Sequence, residues 1–128
     1  MKVDKSSAAT AQQFESVNDL IIDAIRDIKG KNITKIDLSK IDDAPAQYFI
    51  ICEGESTVQV NSIATNIQKR VKDEWGIRND HLEGVKESKW ILIDYFDTIV
   101  HVFYPETRSF YDIEGLWSDG HFVEYQNL

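Results

Sequence analysis

Apolar residues recur at helical spacing along Phe14, Val17, Ile21, Ala24, Ile25 and Ile28, which predicts an amphipathic helix over residues 13 to about 29. Gly30 follows the last of them, where a C-terminal cap belongs. Ile33 to Leu38 alternates apolar and polar positions like a half-buried strand, and Tyr48 to Cys52 is an unbroken apolar run that reads as a fully buried one. A turn-rich loop, SKIDDAP, lies between them. Gly54 ends the second strand and Ser56 or Thr57 is placed to cap a second helix. Val60, Ile63, Ala64, Ile67, Val71 and Trp75 mark that helix's buried face, and Gly76 closes it.

A short extended piece from His81 to Val85 leads to two long strands, Trp90 to Asp94 and Thr98 to Tyr104. The turn between them displays Asp94, Tyr95, Phe96 and Asp97. Pro105 then opens a region whose Phe110, Tyr111, Ile113, Leu116 and Trp117 predict one or two short helices. The order α-β-β-α-β-β-β-α predicts an α/β or α+β sandwich built on a mixed sheet of about five strands. Both faces of the long strands are apolar, since Trp90 and Leu92 alternate with Ile91 and Ile93, and Val100 and Val102 with Ile99 and Phe103. Two main helices and a short third leave part of such a sheet to be covered by another protein, by a second copy of the chain in a homodimer, or by the C-terminal segment folding back. Residues 1 to 12, small and polar, read as a disordered arm; 13 to 117 read as a single domain and 118 to 128 as a tail.

Composition narrows the class. The 128 residues suit one modest core, and 42% hydrophobic with 28% charged residues is the balance of an ordinary water-soluble globule. No apolar run approaches a bilayer span and the N-terminus lacks the apolar centre of a secretory signal, so a cytoplasmic protein with no membrane partner is expected. The single cysteine, Cys52, sits in the run YFIIC and reads as a small core residue. A net charge of −8 repels phosphate, so no high-affinity nucleic-acid contact is expected; a basic protein is the better match.

Three signals bear on catalysis. The Gly54-Glu55-Ser56 turn, placed between strand and helix, is similar to the phosphate-binding turn of nucleotidyltransferases. The helix after it, VQVNSIATNIQKRV, lacks the paired carboxylates that would hold divalent metal, so a helix N-cap is the simpler role. Asp94 and Asp97 could share a metal ion or divide acid and base duties, but at a hairpin tip they read as turn formers or partner contacts. His81, His101 and His121 lack ligand spacing, and His101 alternates with Ile99 and Phe103 as a core or interface histidine. No metal, no cofactor and no catalytic residue is expected. The alternative is a metal-dependent enzyme of nucleotidyltransferase type that binds nucleotide.

The series Trp90, DY-x-D at 94 to 97, VHVF at 100 to 103, E-x-R at 106 to 108, FYD at 110 to 112 and LW at 116 to 117 resembles the ribosomal silencing factor (Iojap-related) family. LIIDAIRDIKGKNITKIDL, YFIICEGES, VNSIATNI and LEGVKESKWILIDYFD extend the likeness in order and spacing from about residue 14 to 117. The resemblance implies a catalytically degenerate, nucleotidyltransferase-like fold. It also implies a translation repressor that binds the large ribosomal subunit through the basic ribosomal protein numbered fourteen and sterically blocks joining of the small subunit. Carried over by position, Trp90, Asp94, Tyr95 and Asp97 are the expected partner surface, with Glu83, His101 and Glu106 as second choices. Trp90 could equally be a core strand residue, and Arg108, Tyr111 and Trp117 are expected to fix the C-terminal segment on the domain. The chain departs from the family pattern at Gln47, where most relatives carry Asp, and at Phe96, where they carry Gly. Phe96 replaces a residue free to adopt positive φ, which puts the shape of the acidic turn in question.

Overall fold

The computed structural model describes residue 14 and residues 16–128; the arm expected over residues 1 to 12 lies outside them. Helix α1 (Val17–Asp27) begins where Ser16 accepts a hydrogen bond from the Asp19 amide at 3.1 Å. It buries Leu20, Ile21, Ala24 and Ile25. At its end the left-handed residue is Lys29 (φ 62°), not Gly30 as the cap position suggested. The amides of Lys29 and Gly30 bond back to Arg26 and Ile25, a Schellman arrangement with the glycine one place further on. Gly30 answers a need for space: a Cβ there would lie 2.3 Å from Ile25 Cγ2.

Strands β1 (Lys31–Asp37) and β2 (Tyr48–Glu53) pair antiparallel. Helix α2 (Thr57–Trp75) follows, capped by Ser56 and closed by left-handed Gly76 as expected. The edge strand β3 (His81–Glu83) pairs with β4 (Trp90–Asp94), which forms a hairpin with β5 (Thr98–Phe103). Two short helices, α3 (Pro105–Tyr111) and α4 (Ile113–Leu116), precede β6 (His121–Glu124). Among the described residues the sheet has six strands in the order β3-β4-β5-β2-β1-β6, with β2 and β5 parallel and the other neighbours antiparallel. The sixth strand is the difference from the expected five: β6 lies in the stretch read as a tail and adds to the edge of β1.

Alternation divides the core in two. On one face α1 and α2 pack on Ile33, Ile50, Cys52, Ile91, Ile93, Val100 and Val102. Arg70 ties the two helices, reaching Asp23 at 2.6 Å and Asp27 at 2.9 Å while also holding Glu74. On the other face Ile36, Phe49, Ile51, Ile99 and Phe103 pack with buried Leu38, with α4's Ile113 and with a set of half-buried side chains that includes Trp90, Leu92 and Trp117. The C-terminal segment does fold back over this face, but it covers it incompletely.

Candidate functional site: a half-covered sheet face

Strand register sets the order of side chains on that second face. Glu83, Leu92, His101 and Ile51 stand opposite one another across four strands, and His81, Asp94, Ile99 and Phe49 form the next row. Trp90 is opposite Phe103. Trp90, Leu92 and Asp94 therefore share one face of β4, with Glu83 on the neighbouring edge strand. The indole of Trp90 lies 4.9 Å from the Phe103 ring and 5.0 Å from Tyr111, which in turn meets Phe110 edge-on at 5.0 Å. This chain of rings runs from the buried core to open solvent, since Phe103 is inaccessible while Tyr111 is 52% and Phe110 80% exposed. Leu116, on α4, is also exposed.

His101 lies beneath Trp90, only 4% exposed, and its Nδ1 accepts the indole Nε1–H at 3.1 Å. That bond satisfies the one polar atom of Trp90 internally, so the indole offers a partner apolar surface alone. Burial pushes the His101 imidazole down to about 3, and its Nε2 has no hydrogen-bond partner among the described residues. The unfolded chain takes up a proton here near the ordinary 6.5, whereas the folded chain resists until about 3. Stability from this site is therefore complete above about pH 6.5 and drains away as pH falls, at about 1.4 kcal/mol per unit. Urea unfolding should show a loss of about 2 kcal/mol between pH 6.5 and 5. His101→Gln, which cannot titrate, should flatten that slope.

The acidic turn is held by hydrogen bonds to its backbone from within and from a neighbouring segment of the chain. The Phe96 amide donates to Asp94 Oδ1 at 2.7 Å, the Tyr95 amide to the Thr98 carbonyl at 2.8 Å, and the Gln47 and Tyr48 amides both to the Asp97 carbonyl. Phe96 keeps the positive φ that glycine would adopt, at 74°, and its ring is 75% exposed. Phe96 thus adopts the left-handed conformation that glycine takes freely, and it adds an outward aromatic to the turn. Phe96→Gly should stabilise the fold by about 0.5 kcal/mol, as relief of left-handed strain outweighs the entropy that glycine gains on unfolding. It should weaken partner capture by about fivefold if the ring is a contact. Opposite signs in unfolding and binding assays separate the two roles.

The expected site residues are not all brought together. Trp90, Asp94 and Glu83 share the second face, Asp97 stands exposed at the hairpin tip, and exposed Glu106 belongs to α3, which sits over that face. Tyr95, expected beside them, is carried by strand alternation to the helical side. It packs there against the first cluster, its hydroxyl buried without a hydrogen-bond partner among the described residues and its pKa raised by desolvation. Leu92, which is not among the expected contacts, joins them because strand alternation places it on the same face two residues from both Trp90 and Asp94. Arg108 and Trp117 fix the C-terminal segment as expected; Tyr111 does so while leaving half its surface open.

The chain's own side chains fill the Gly54 to Ser56 turn. Ser56 Oγ accepts from the Gln59 amide at 3.1 Å, and Gln59 Oε1 accepts from the Glu55 amide at 2.7 Å. Its amide nitrogen reaches across to the carbonyls of Ile28 and Lys29 at the end of α1. Ser56 is the helix cap, and the Glu55 and Gln59 backbone donors are occupied. Cys52 is a core thiol, pushed up to about 12 by burial. Among the described residues no three His, Cys, Asp or Glu side chains gather as a metal site, and no helix is long and apolar enough to cross a membrane.

The half-covered face thus combines an apolar centre at Trp90 and Leu92 with carboxylates at Glu83 and Asp94. Residues 11–128 match the model of the family described as ribosomal silencing factor during starvation. The chain belongs to the ribosomal silencing factor family. It is similar to ribosomal silencing factor RsfS of Halalkalibacterium halodurans, 37% identical over 85% of this chain and 92% of that one. A crystal structure of a Chromobacterium violaceum protein aligns with a TM-score of 0.75 at 39% identity, covering 80% of this chain and 83% of the other. More distantly, the mouse protein named mitochondrial assembly of ribosomal large subunit protein 1 is 26% identical over 78% of this chain and 44% of its own. The family places the chain among ribosome-associated regulators of translation, and its α+β fold is the fold of these silencing-factor structures.

Proposed function

We propose that the chain acts in the cytoplasm by binding the large ribosomal subunit through its basic ribosomal protein numbered fourteen, and that the bound copy sterically prevents the small subunit from joining. The single observation that carries this reading is the incompletely covered sheet face, where Trp90 and Leu92 form an apolar centre beside the carboxylates of Glu83 and Asp94. An apolar centre with a charged rim is the anatomy of a protein interface, in which ring burial holds the complex and carboxylates speed its formation with a basic partner. Occlusion needs no bond to be made or broken, so no residue of the face is assigned a catalytic role. The name of the mouse relative, which refers to the large subunit, supports the choice of subunit.

Purified large subunits, small subunits and whole ribosomes, each offered to the tagged chain at low and high salt, test the proposal. Capture of large subunits, weakened by salt, together with slower subunit joining in light scattering, is the expected result. Absence of capture at either salt removes it.

A further inference from the structure

Between the β1–β2 loop and the tip of the β4–β5 hairpin runs a groove of about 510 Å³. Apolar Ile41, Pro45 and Ala46 line it, together with the carboxylate-bearing Asp43, Asp94 and Asp97. We propose that this groove receives a lysine or arginine side chain of the protein bound on the Trp90 face. The aliphatic stem of that side chain lies on Ile41, Pro45 and Ala46, and its charged head sits among the three carboxylates. The inference rests on the reading of the Trp90 face as a ribosome-binding surface, and it adds a second pocket and a residue class to that reading.

Charge complementarity is the first argument. No lysine, arginine or histidine lines the groove, and among the described residues none of its three carboxylates forms an ion pair. Six carboxylates elsewhere among the described residues are paired, including Asp23, Asp27 and Glu74 with Arg70 and Glu53 and Glu114 with Arg108; what sets the groove apart is that its unpaired carboxylates share a lining with an apolar wall. A long cationic side chain matches both halves of the lining, because its methylenes favour apolar surface while its head favours carboxylates. A bare metal ion is a poorer match, since among the described residues no three such side chains, these carboxylates included, lie close enough together to share one. RNA phosphate is repelled by the same charges.

Continuity is the second argument. Asp94 belongs both to this lining and to the β4 face that carries Trp90 and Leu92, so one partner resting on those two side chains reaches the groove without turning. The walls are also tied together beforehand: the amides of Gln47 and Tyr48 donate to the Asp97 carbonyl at 2.9 and 3.0 Å, and the Leu38 amide to the Gln47 carbonyl at 2.7 Å. Little ordering is left for a partner to impose.

The test measures binding of the full chain to purified large ribosomal subunits at low and high salt, comparing wild type, Trp90→Ala and the double variant Asp43→Asn, Asp97→Lys. Neither altered carboxylate accepts a hydrogen bond among the described residues, and Asn tolerates the positive φ of position 43, so the double variant keeps the fold. Its affinity should fall about tenfold at low salt and approach wild type at high salt, as expected of charges facing a cation at a rim. Ile41→Ser should weaken binding by about threefold at both salts through lost contact with the stem. If wild type binds, Trp90→Ala weakens it and the groove variants match wild type at both salts, the groove stands empty in the complex and this inference is overturned with the Trp90 reading intact. If wild type does not bind at either salt, both fall together.

Discussion

Replacing Trp90 with alanine should lower affinity for large ribosomal subunits by about thirtyfold or more, equivalent to at least about 2 kcal/mol. The size of the effect follows from how the indole is held. Its hydrogen bond to His101 and its contacts with Phe103 and Tyr111 fix one orientation before any partner arrives, so little rotamer entropy is lost on binding. Large rings at the centre of a face are the usual energetic anchors of an interface, and the surrounding carboxylates set mainly the rate of encounter. Alanine also removes a donor that His101 uses, at a stability cost of about 1 kcal/mol beyond lost packing. Binding must therefore be compared well below the unfolding midpoint. Trp90→Phe separates the two effects, since it keeps most of the ring area and loses only the N–H bond; it should bind within about threefold of wild type. A folded Trp90→Ala that binds like wild type would show that the face has another anchor.

The elements that position this site were readable where the information is local. Ser56 and Gly76 bound α2 because capping depends on a few neighbouring residues, and strict alternation along β4 put Trp90 and Leu92 on one face. The same alternation sends Tyr95 to the helices, a consequence that is obscured when the turn is read as a cluster of exposed residues. What is not local was not readable. β6 is a short polar edge strand whose place depends on the far-off β1, and four residues of HFVE carry no signal of that pairing. The Trp90 to His101 bond joins positions on two strands whose mutual register is a tertiary fact. Phe96 shows the limit of propensity, because the hydrogen bond to Asp94 and the two bonds to the Asp97 carbonyl hold a left-handed turn that its side chain disfavours.

The largest stability loss is expected at Arg108. This residue sits on α3, nearly buried, and its guanidinium donates to the Asn32 carbonyl at 2.7 Å, to Glu53 at 3.0 Å and to Glu114 at 2.8 Å. One side chain thus joins α3 and α4 to strands β1 and β2, and through them holds Tyr111 against Trp90. Arg108→Met keeps most of the volume but leaves two carboxylates without their cation. Breaking a buried pair from one side costs about 3–5 kcal/mol; because the Glu114 side chain is about a quarter exposed, the low end, about 3 kcal/mol, is expected. For a chain of this length that lowers the thermal midpoint by about 10 °C. Removing the stranded charges as well, in Arg108→Met with Glu53→Gln and Glu114→Gln, should recover at least half of the loss, because the penalty lies in the unpaired acids and not in the absence of the pair. Binding should follow the same order: Arg108→Met loosens the segment that carries Phe110 and Tyr111 and lowers affinity, and the triple variant restores it. Full stability with lost binding in the triple variant would instead place Glu53, Glu114 or Arg108 itself in contact with the partner.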